Sequence, residues 1–297
     1  MREEEFKSWI IKETEEFVES CPDNSLKGID DSPMFERPLV GFAAGDDPVF
    51  VQLKTVIGEF HLTPHEAMAK IAAKKGVEVP PEREVGIISY ILPITRATRR
   101  ENAGMTDMPS RRWAHTRCYG EQFNRSVQAH IVKMLEGEGC LAVAPQLDDD
   151  MFRIFVDDRI GYASTWSQRH VAFAAGHGTF GLCDGLITQA GKAHRVGSVV
   201  VNRHLSSPRR TSDIHADCLF FQGKGCTECA RRCPAGAITE KGHDKELCRE
   251  YSDGKRPIMK ELYGIDIYGC GLCQTGVPCE SRSPMTRTGK GNKHNSQ

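Results

Sequence analysis

The chain has 297 residues, 39% of them hydrophobic and 27% charged, which excludes a disordered polypeptide and leaves enough apolar side chain for a buried core. Lys and Arg number 39 against 40 Asp and Glu, and a net charge of −1 excludes bulk nucleic-acid binding by overall positive charge. The longest apolar stretch, around 85–94, is too short to cross a bilayer, and the acidic start MREEEFKSWIIKETEEF has neither a signal-peptide core nor a twin-arginine signal, so a cytoplasmic protein with no membrane partner is expected.

Residues 1–20 set Phe6, Trp9, Ile10, Phe17 and Val18 at helical spacing among acids, which predicts an amphipathic surface helix. Residues 25–50 carry Pro and Gly and read as irregular connection. Thr63-Pro64, with Glu66 where a capping-box acid belongs, predicts a helix over 63–75. The β-branched run 84–94 predicts a buried strand, and 122–135 a helix. A short strand over 151–156, a helix over 165–175 closed by Gly176, and a buried strand over 197–202 follow. The expected fold class is α+β, a layered α/β core. From about residue 213 the composition turns to Cys, Gly and charge. Four regions are therefore expected: a helical region at 1–80 packing on the core, an α/β core at 81–212, a ferredoxin-like domain at 213–280, and a basic flexible tail at 281–297.

Cysteine usage identifies the chemistry. Eight of the twelve cysteines crowd into the C-terminal region, whereas Cys21, Cys118, Cys140 and Cys183 are scattered upstream. A reducing cytosol makes such a cluster a metal site rather than a disulfide framework. Cys226-x2-Cys229-x3-Cys233-Pro234 matches the last three cysteines of the bacterial ferredoxin run, in which the cysteine before proline serves the other cluster. The first cysteine of that run is replaced by Gly223, and Cys218 can supply the thiolate through a longer loop. Cys248, Cys270, Cys273 and Cys279 form the second half. The crossed arrangement gives Cys218, Cys226, Cys229 and Cys279 to one [4Fe-4S] cluster and Cys233, Cys248, Cys270 and Cys273 to another. Thiolates are soft donors suited to iron, and Gly223, Gly225, Gly269 and Gly271 let backbone wrap closely around the sulfurs. Two structural zinc sites are the competing reading of the CxxC pairs.

Upstream, the run from Ser167 through Arg169, Ala175-Gly176-x-Gly178 and Gly181, then Gly185-Leu-Ile-Thr188 and Arg195-Val-Gly-Ser-Val-Val-Val-Asn202, resembles the cobalamin-dependent iron–sulfur reductases. These are the epoxyqueuosine reductases and the reductive dehalogenases. Cys248-Arg-Glu-Tyr251 and Tyr268-Gly-Cys-Gly-Leu-Cys-Gln274 resemble their second-cluster segments, and the likeness covers about residues 85–279. Gly176-x-Gly178-x-x-Gly181 also spells the dinucleotide fingerprint, but it follows a helical segment instead of a strand, so a Rossmann site is rejected. The alternatives left for these glycines are close approach to a flat macrocycle or tight turns made for packing.

The resemblance implies a nitroreductase-like core with a bacterial ferredoxin-like double-cluster domain, and a base-off cobalamin contacted by Arg169, Gly176, Gly178, Gly181 and Gly185. It implies a proton donor seven residues before Arg169, which is Tyr162, with a half-buried structural tyrosine as the alternative; Arg195 is a candidate to stabilise a developing anion, against an ordinary surface or phosphate-facing arginine. Aspartate holds the donor position in the epoxyqueuosine reductases and tyrosine in the dehalogenases, so the tyrosine favours a dehalogenase-like site. No Asp-x-His-x-x-Gly segment offers cobalt a lower histidine. The expected activity is reductive cleavage of a carbon–heteroatom bond in an unknown small molecule, in an oxygen-sensitive enzyme of anaerobic habit fed by a low-potential ferredoxin or flavodoxin. A corrinoid-free electron carrier is the rival. A tRNA-modifying reductase is the weaker third reading, resting on the family likeness and on Arg99-Arg100, Arg111-Arg112, Arg209-Arg210 and Arg231-Arg232, so tRNA is not expected as a partner. The epoxyqueuosine reductases usually continue into a helical-repeat region that helps hold tRNA, and no such region is expected in this sequence. The aspartates at 148–150 and 157–158 read as solvated turns rather than a hard-cation site.

Overall fold

Helix α1 (Glu3–Ser20) buries Phe6, Ile10, Thr14 and Val18 at four-residue spacing, the stripe its sequence period requires. The computed structural model describes residues 1–285, so of the expected tail at 281–297 all but the first five residues lie outside the described part. Strand β1 (Leu39–Ala44) and helix α2 (Pro48–Val56) follow, and they correct the expectation of irregular chain over 25–50. The strand's sequence, LVGFAA, is half Gly and Ala, so it carries little β-branched signal and is held by its neighbour instead. Helix α3 (Pro64–Lys75) has the expected capping box: Glu66 N–H donates to Thr63 Oγ1 at 3.2 Å and Thr63 N–H to Glu66 Oε2 at 2.8 Å.

Strand β2 (Gly86–Pro93) is buried along its whole length. Helix α4 (Arg96–Ala103) leads to α5 (Arg111–Gly137), which begins eleven residues before the expected helix start at 122. Its first turns hold buried Arg112, His115 and Thr116, and that polarity hides the helical period. Strands β3 (Ala142–Val143), β4 (Ile154–Asp157) and β5 (Gly161–Ser164) precede α6 (Gln168–Ala174), which Gly176 closes at φ +77°. Then come β6 (Gly178–Phe180), β7 (Leu186–Thr188) and β8 (His194–Val201). The cysteine-rich segment folds as α7 (Glu228–Arg231), β9 (Ile238–Thr239), β10 (Gly242–His243), α8 (Lys245–Gly254) and α9 (Arg256–Tyr263), then a 3-10 turn at Leu272–Gln274.

The main sheet has the order β1-β2-β8-β3, with antiparallel pairs throughout. Alternation along β2 sends Ile88, Tyr90 and Leu92 to one face, against α1 and α5, and Ile87 and Ile91 to the other, against α2, α3 and α6. Helices thus cover both faces of an antiparallel sheet, a mixed α/β architecture of three layers. Each buried Leu, Ile or Phe side chain contributes roughly 1.5–3 kcal/mol. The expected buried strands 84–94 and 197–202 are the two central ones, β2 and β8. The sheet's edge strand β1 comes from within 1–80, so that region contributes a sheet strand as well as helices. No described helix is long and apolar enough to cross a membrane.

Candidate functional site

The C-terminal cysteines stand around two cavities at one end of the sheet. Cys218, Cys226, Cys229 and Cys279 line a narrow one of about 20 Å³. Cys233, Cys248, Cys270 and Cys273 line a larger one of about 460 Å³. Short local spacing explains part of this grouping, and two glycines explain the rest. Gly271 sits at φ +69°, and a Cβ there would meet the Trp113 ring at 2.2 Å, so only glycine lets the Cys270–Cys273 loop lie on α5. Gly191, at φ +78°, has the Glu280 carbonyl oxygen 2.3 Å from where its Cβ would be. That approach lets Lys192 N–H donate to the Cys279 carbonyl at 2.9 Å, drawing Cys279 back to the other cysteines of its quartet.

A ninth cysteine, Cys183, also lines the larger cavity. Cys183 is buried, within hydrogen-bonding reach of the thiols of Cys229 and Cys273, one from each quartet, and Lys192 Nζ is 3.3 Å from its sulfur. The thiols of Cys229 and Cys273, and behind them the Lys192 ammonium, hold the Cys183 pKa well below the ordinary thiol value. Hydrogen bonding to Cys183, then burial, pushes Cys229 and Cys273 upward. Burial raises Cys270 to about 11 and also lifts Cys226 and Cys279. Such thiols ionise only when a cationic partner displaces the proton, which makes metal binding proton-releasing and favoured by rising pH. Burial opposes charge on His243, yet Asp184 and Cys248 raise its pKa to about 9. Among the described residues, no three His, Cys, Asp or Glu side chains converge closely enough to hold a single metal ion.

Beyond its thiols, the larger cavity is walled by Trp113, Tyr251 and Tyr268 and by Arg117, Arg169, Lys192 and Arg195. A hydrogen-bonded chain runs along it. Arg195 pairs with Glu121 at 3.2 Å and donates to the Arg117 carbonyl at 3.0 Å. Gln146 Nε2 donates to Glu121 at 2.9 Å, Gln168 Nε2 to Gln146 at 3.0 Å, Ser198 Oγ to Gln168 at 2.7 Å, and Trp166 Nε1 to Ser198 at 3.0 Å. Burial, then neighbouring Arg117, lowers the Arg195 pKa to about 10, still well above neutrality. His194 Nε2 meets the Leu186 carbonyl at 2.9 Å, whereas its Nδ1 is buried without a partner among the described residues. That orphaned atom is available to a group bound in the cavity.

The expected site residues are distributed unevenly. Arg169, Gly185 and Arg195 line the larger cavity with the second quartet. Arg169 donates to the Asp184 carbonyl, which fixes its head near His243, itself 3.3 Å from Asp184. Gly181 lines the narrow cavity instead. Gly176 and Gly178 line neither: a Cβ on Gly176 would meet Pro208 at 2.6 Å, and one on Gly178 would meet the Ile187 carbonyl oxygen at 1.9 Å. Both are close-packing positions against protein, as the packing alternative for these glycines expects. Tyr162, 36% exposed on β5, also lies outside the cavity lining, with the Arg249 guanidinium 5.4 Å from its ring centroid. The same guanidinium stacks at 3.8 Å on Tyr268, a cavity residue, so one arginine links Tyr162 to the cavity wall.

Sequence reasoning missed Cys183, Lys192 and the Glu121–Gln146–Gln168 chain. Cys183 falls between Gly181 and Gly185, inside the segment where close backbone approach was expected, and that was the available signal. In each arginine pair one member is spent inside the fold: Arg99 on the Ile94 carbonyl, Arg112 on Asp30, Arg210 on Asp47 and Arg232 on the Leu272 carbonyl. Arg100, Arg111, Arg209 and Arg231 are the exposed members. Asp148 and Asp150 both pair with Lys74 at 2.7 Å.

Comparison with known proteins adds three findings. The chain is 30% identical over 142 residues to an epoxyqueuosine reductase of Francisella cf. novicida, covering 46% of this chain and 36% of that protein. It is 30% identical over 118 residues to an epoxyqueuosine reductase of Bacillus cereus, covering 38% and 29% respectively. A crystal structure of epoxyqueuosine reductase with a tRNA-Tyr epoxyqueuosine-modified tRNA stem loop superposes at TM-score 0.50 and 15% identity, over 94% of this chain and 66% of that one. The matches thus span about a third of the curated relatives' length, and the superposition speaks for the fold. No family model matches the chain.

Proposed function

We propose that the chain, which is similar to epoxyqueuosine reductases over part of its length, is a reductase with two [4Fe-4S] clusters and a corrinoid. One observation carries the reading: eight cysteines sort into two quartets around neighbouring cavities, in the crossed pattern of a two-cluster ferredoxin run. Cys218, Cys226, Cys229 and Cys279 would hold the first cluster, and Cys233, Cys248, Cys270 and Cys273 the second. The donor chemistry fits, since four thiols meet the full ligand set of a cubane. The narrow cavity accepts a cubane only if its four thiol side chains rotate apart.

The larger cavity falls within the ordinary size of cofactor sites, and its cysteine-free wall suits a planar ring bearing amide arms. Trp113 and Tyr268 would offer aromatic faces to such a ring, and Arg117, Arg169 and His194 Nδ1 would be the polar groups available to its amide arms. When bound, a corrinoid supplies the reducing chemistry that breaks carbon–heteroatom bonds. The protein's own part is to bind, orient and deliver protons. Tyr162 is the proton donor of this reading, through its phenol hydroxyl. It stands exposed on the β4–β5 hairpin, joined to the cavity wall through Arg249. Arg195, held by Glu121, presents a fixed positive charge to a leaving anion. Electrons enter from a low-potential ferredoxin or flavodoxin.

A tRNA substrate is the second reading, although the sequence spoke against tRNA as a partner. The relatives' names favour it, and the four exposed arginines of the Arg pairs are the basic groups it would use. The test is anaerobic reconstitution with iron, sulfide and cobalamin, followed by desalting. Retention of about one cobalt per chain, with reductive turnover of either an epoxyqueuosine-modified stem loop or a halogenated phenol, supports the reductase. Two clusters with no retained cobalt leave a corrinoid-free electron carrier.

A further inference from the structure

Among the described residues, Lys192 is the one side chain common to both cysteine-lined cavities. It is 3% exposed, and no carboxylate lies within ion-pair distance of it among the described residues. Its Nζ meets Cys183, whose thiol reaches Cys229 of one quartet and Cys273 of the other. Its backbone is pinned as well, with its N–H shared between the Cys279 and Glu280 carbonyls at 2.9 and 3.2 Å. The lysine therefore has neither the space nor the slack to leave. A buried ammonium without a carboxylate is costly unless negative charge surrounds it. Thiolate-ligated cubanes carry net negative charge in both redox states, and two of them on either side supply what Lys192 lacks.

We propose that Lys192 is an electrostatic bridge between the two iron–sulfur sites, a fixed cation that raises the reduction potential of both clusters together. The inference rests on the two-cluster reading above. Reduction adds one electron to a cluster from the external donor, breaks no bond, and makes the cluster more negative. A cation held nearby in a low-dielectric interior stabilises the reduced form more than the oxidised one. Because Lys192 borders both sites, its effect falls on both, and it keeps both clusters reducible by the external donor.

The test uses the full chain purified without oxygen, with iron content and EPR-monitored redox titration as readouts. Lys192→Met keeps the length and removes the charge; Lys192→Arg keeps the charge. In Lys192→Met at wild-type iron content, both midpoint potentials are expected to move to more negative values, while in Lys192→Arg both remain near wild type. Unchanged potentials in Lys192→Met, or a shift confined to one cluster, would overturn the bridge. If Lys192→Met loses iron, retention in Lys192→Arg supports the charge role and loss in both variants overturns it in favour of packing. A wild-type protein with iron well short of about eight atoms per chain would sink the two-cluster reading itself, a result distinct from either potential pattern.

Discussion

Asn102 Nδ2 donates to Thr275 Oγ1 at 3.0 Å, joining helix α4 to the last cysteine-bearing segment across 173 residues of sequence. Both residues are fully buried. The Asn102 side-chain oxygen also accepts from Ser110 N–H at 2.9 Å, at the start of α5, and its backbone carbonyl accepts from Arg232 Nη2 at 3.3 Å. A single residue thus ties together the helix entering the core, the helix facing the larger cavity and the loops that carry the thiols.

Asn102→Ala strands two buried polar partners, Ser110 N–H and Thr275 Oγ1, and should cost about 3 kcal/mol on the scale of unsatisfied buried groups. Urea unfolding followed by far-UV circular dichroism and by visible absorbance checks this. The two probes should move together to lower urea. Loss of visible absorbance at unchanged helicity would mean that the core and the cysteine segment are uncoupled.

Glu121→Gln leaves the Arg195 guanidinium without its carboxylate in a half-buried cavity wall and should destabilise the fold by about 2 kcal/mol. Cobalamin retention after desalting should fall with it, because Gln146 and Gln168 are oriented through Glu121. An unaltered thermal midpoint and unaltered retention would remove this chain from the site.

Acid should weaken the fold through histidines buried neutral. His61 is fully buried, accepts the Ser167 N–H at 3.0 Å and stacks on Trp166, and burial lowers its pKa to about 4. His177 is lowered to about 4 by the same cause. The unfolded chain protonates these rings near their ordinary pKa of about 6.5, before the folded chain does, so stability is complete above that pH and drains as pH falls towards about 4. Each ring contributes up to about 3 kcal/mol to this loss. Urea midpoints measured between about pH 7 and about pH 5 should decline, and His61→Gln, which keeps an acceptor for Ser167, should flatten the slope by about one proton. A slope equal to wild type would show that His61 titrates normally.

Cys183→Ala should keep the iron content of the wild type, because each quartet already has four sulfurs without it. Cys226→Ser and Cys248→Ser should each lower the iron content by about half. A fall in iron on replacing Cys183 would make it a ligand and break the partition drawn here.

Three-residue spacings keep Cys226 with Cys229 and Cys270 with Cys273 in any fold, whereas Cys233 and Cys279 reach the opposite cavity through the fold. The strands β2 and β8 were equally legible, being β-branched and buried on both faces. What local pattern did not carry was contact across the chain. Strand β1 is specified by pairing with β2, and the first turns of α5 are polar because Arg112 and Ser110 serve Asp30 and Trp113. Gly176 and Gly178 are small to admit Pro208 and Ile187, partners distant in sequence or across a hairpin. Lys192 reads as an ordinary cation until the fold brings Cys183 against it.

The most direct test is iron and acid-labile sulfide counting, with Mössbauer spectroscopy, on the full chain isolated without oxygen. About eight iron atoms per chain, all in cubane environments, is the predicted result. Zinc in place of iron, or only about half that iron in a sample handled without oxygen, would contradict the account.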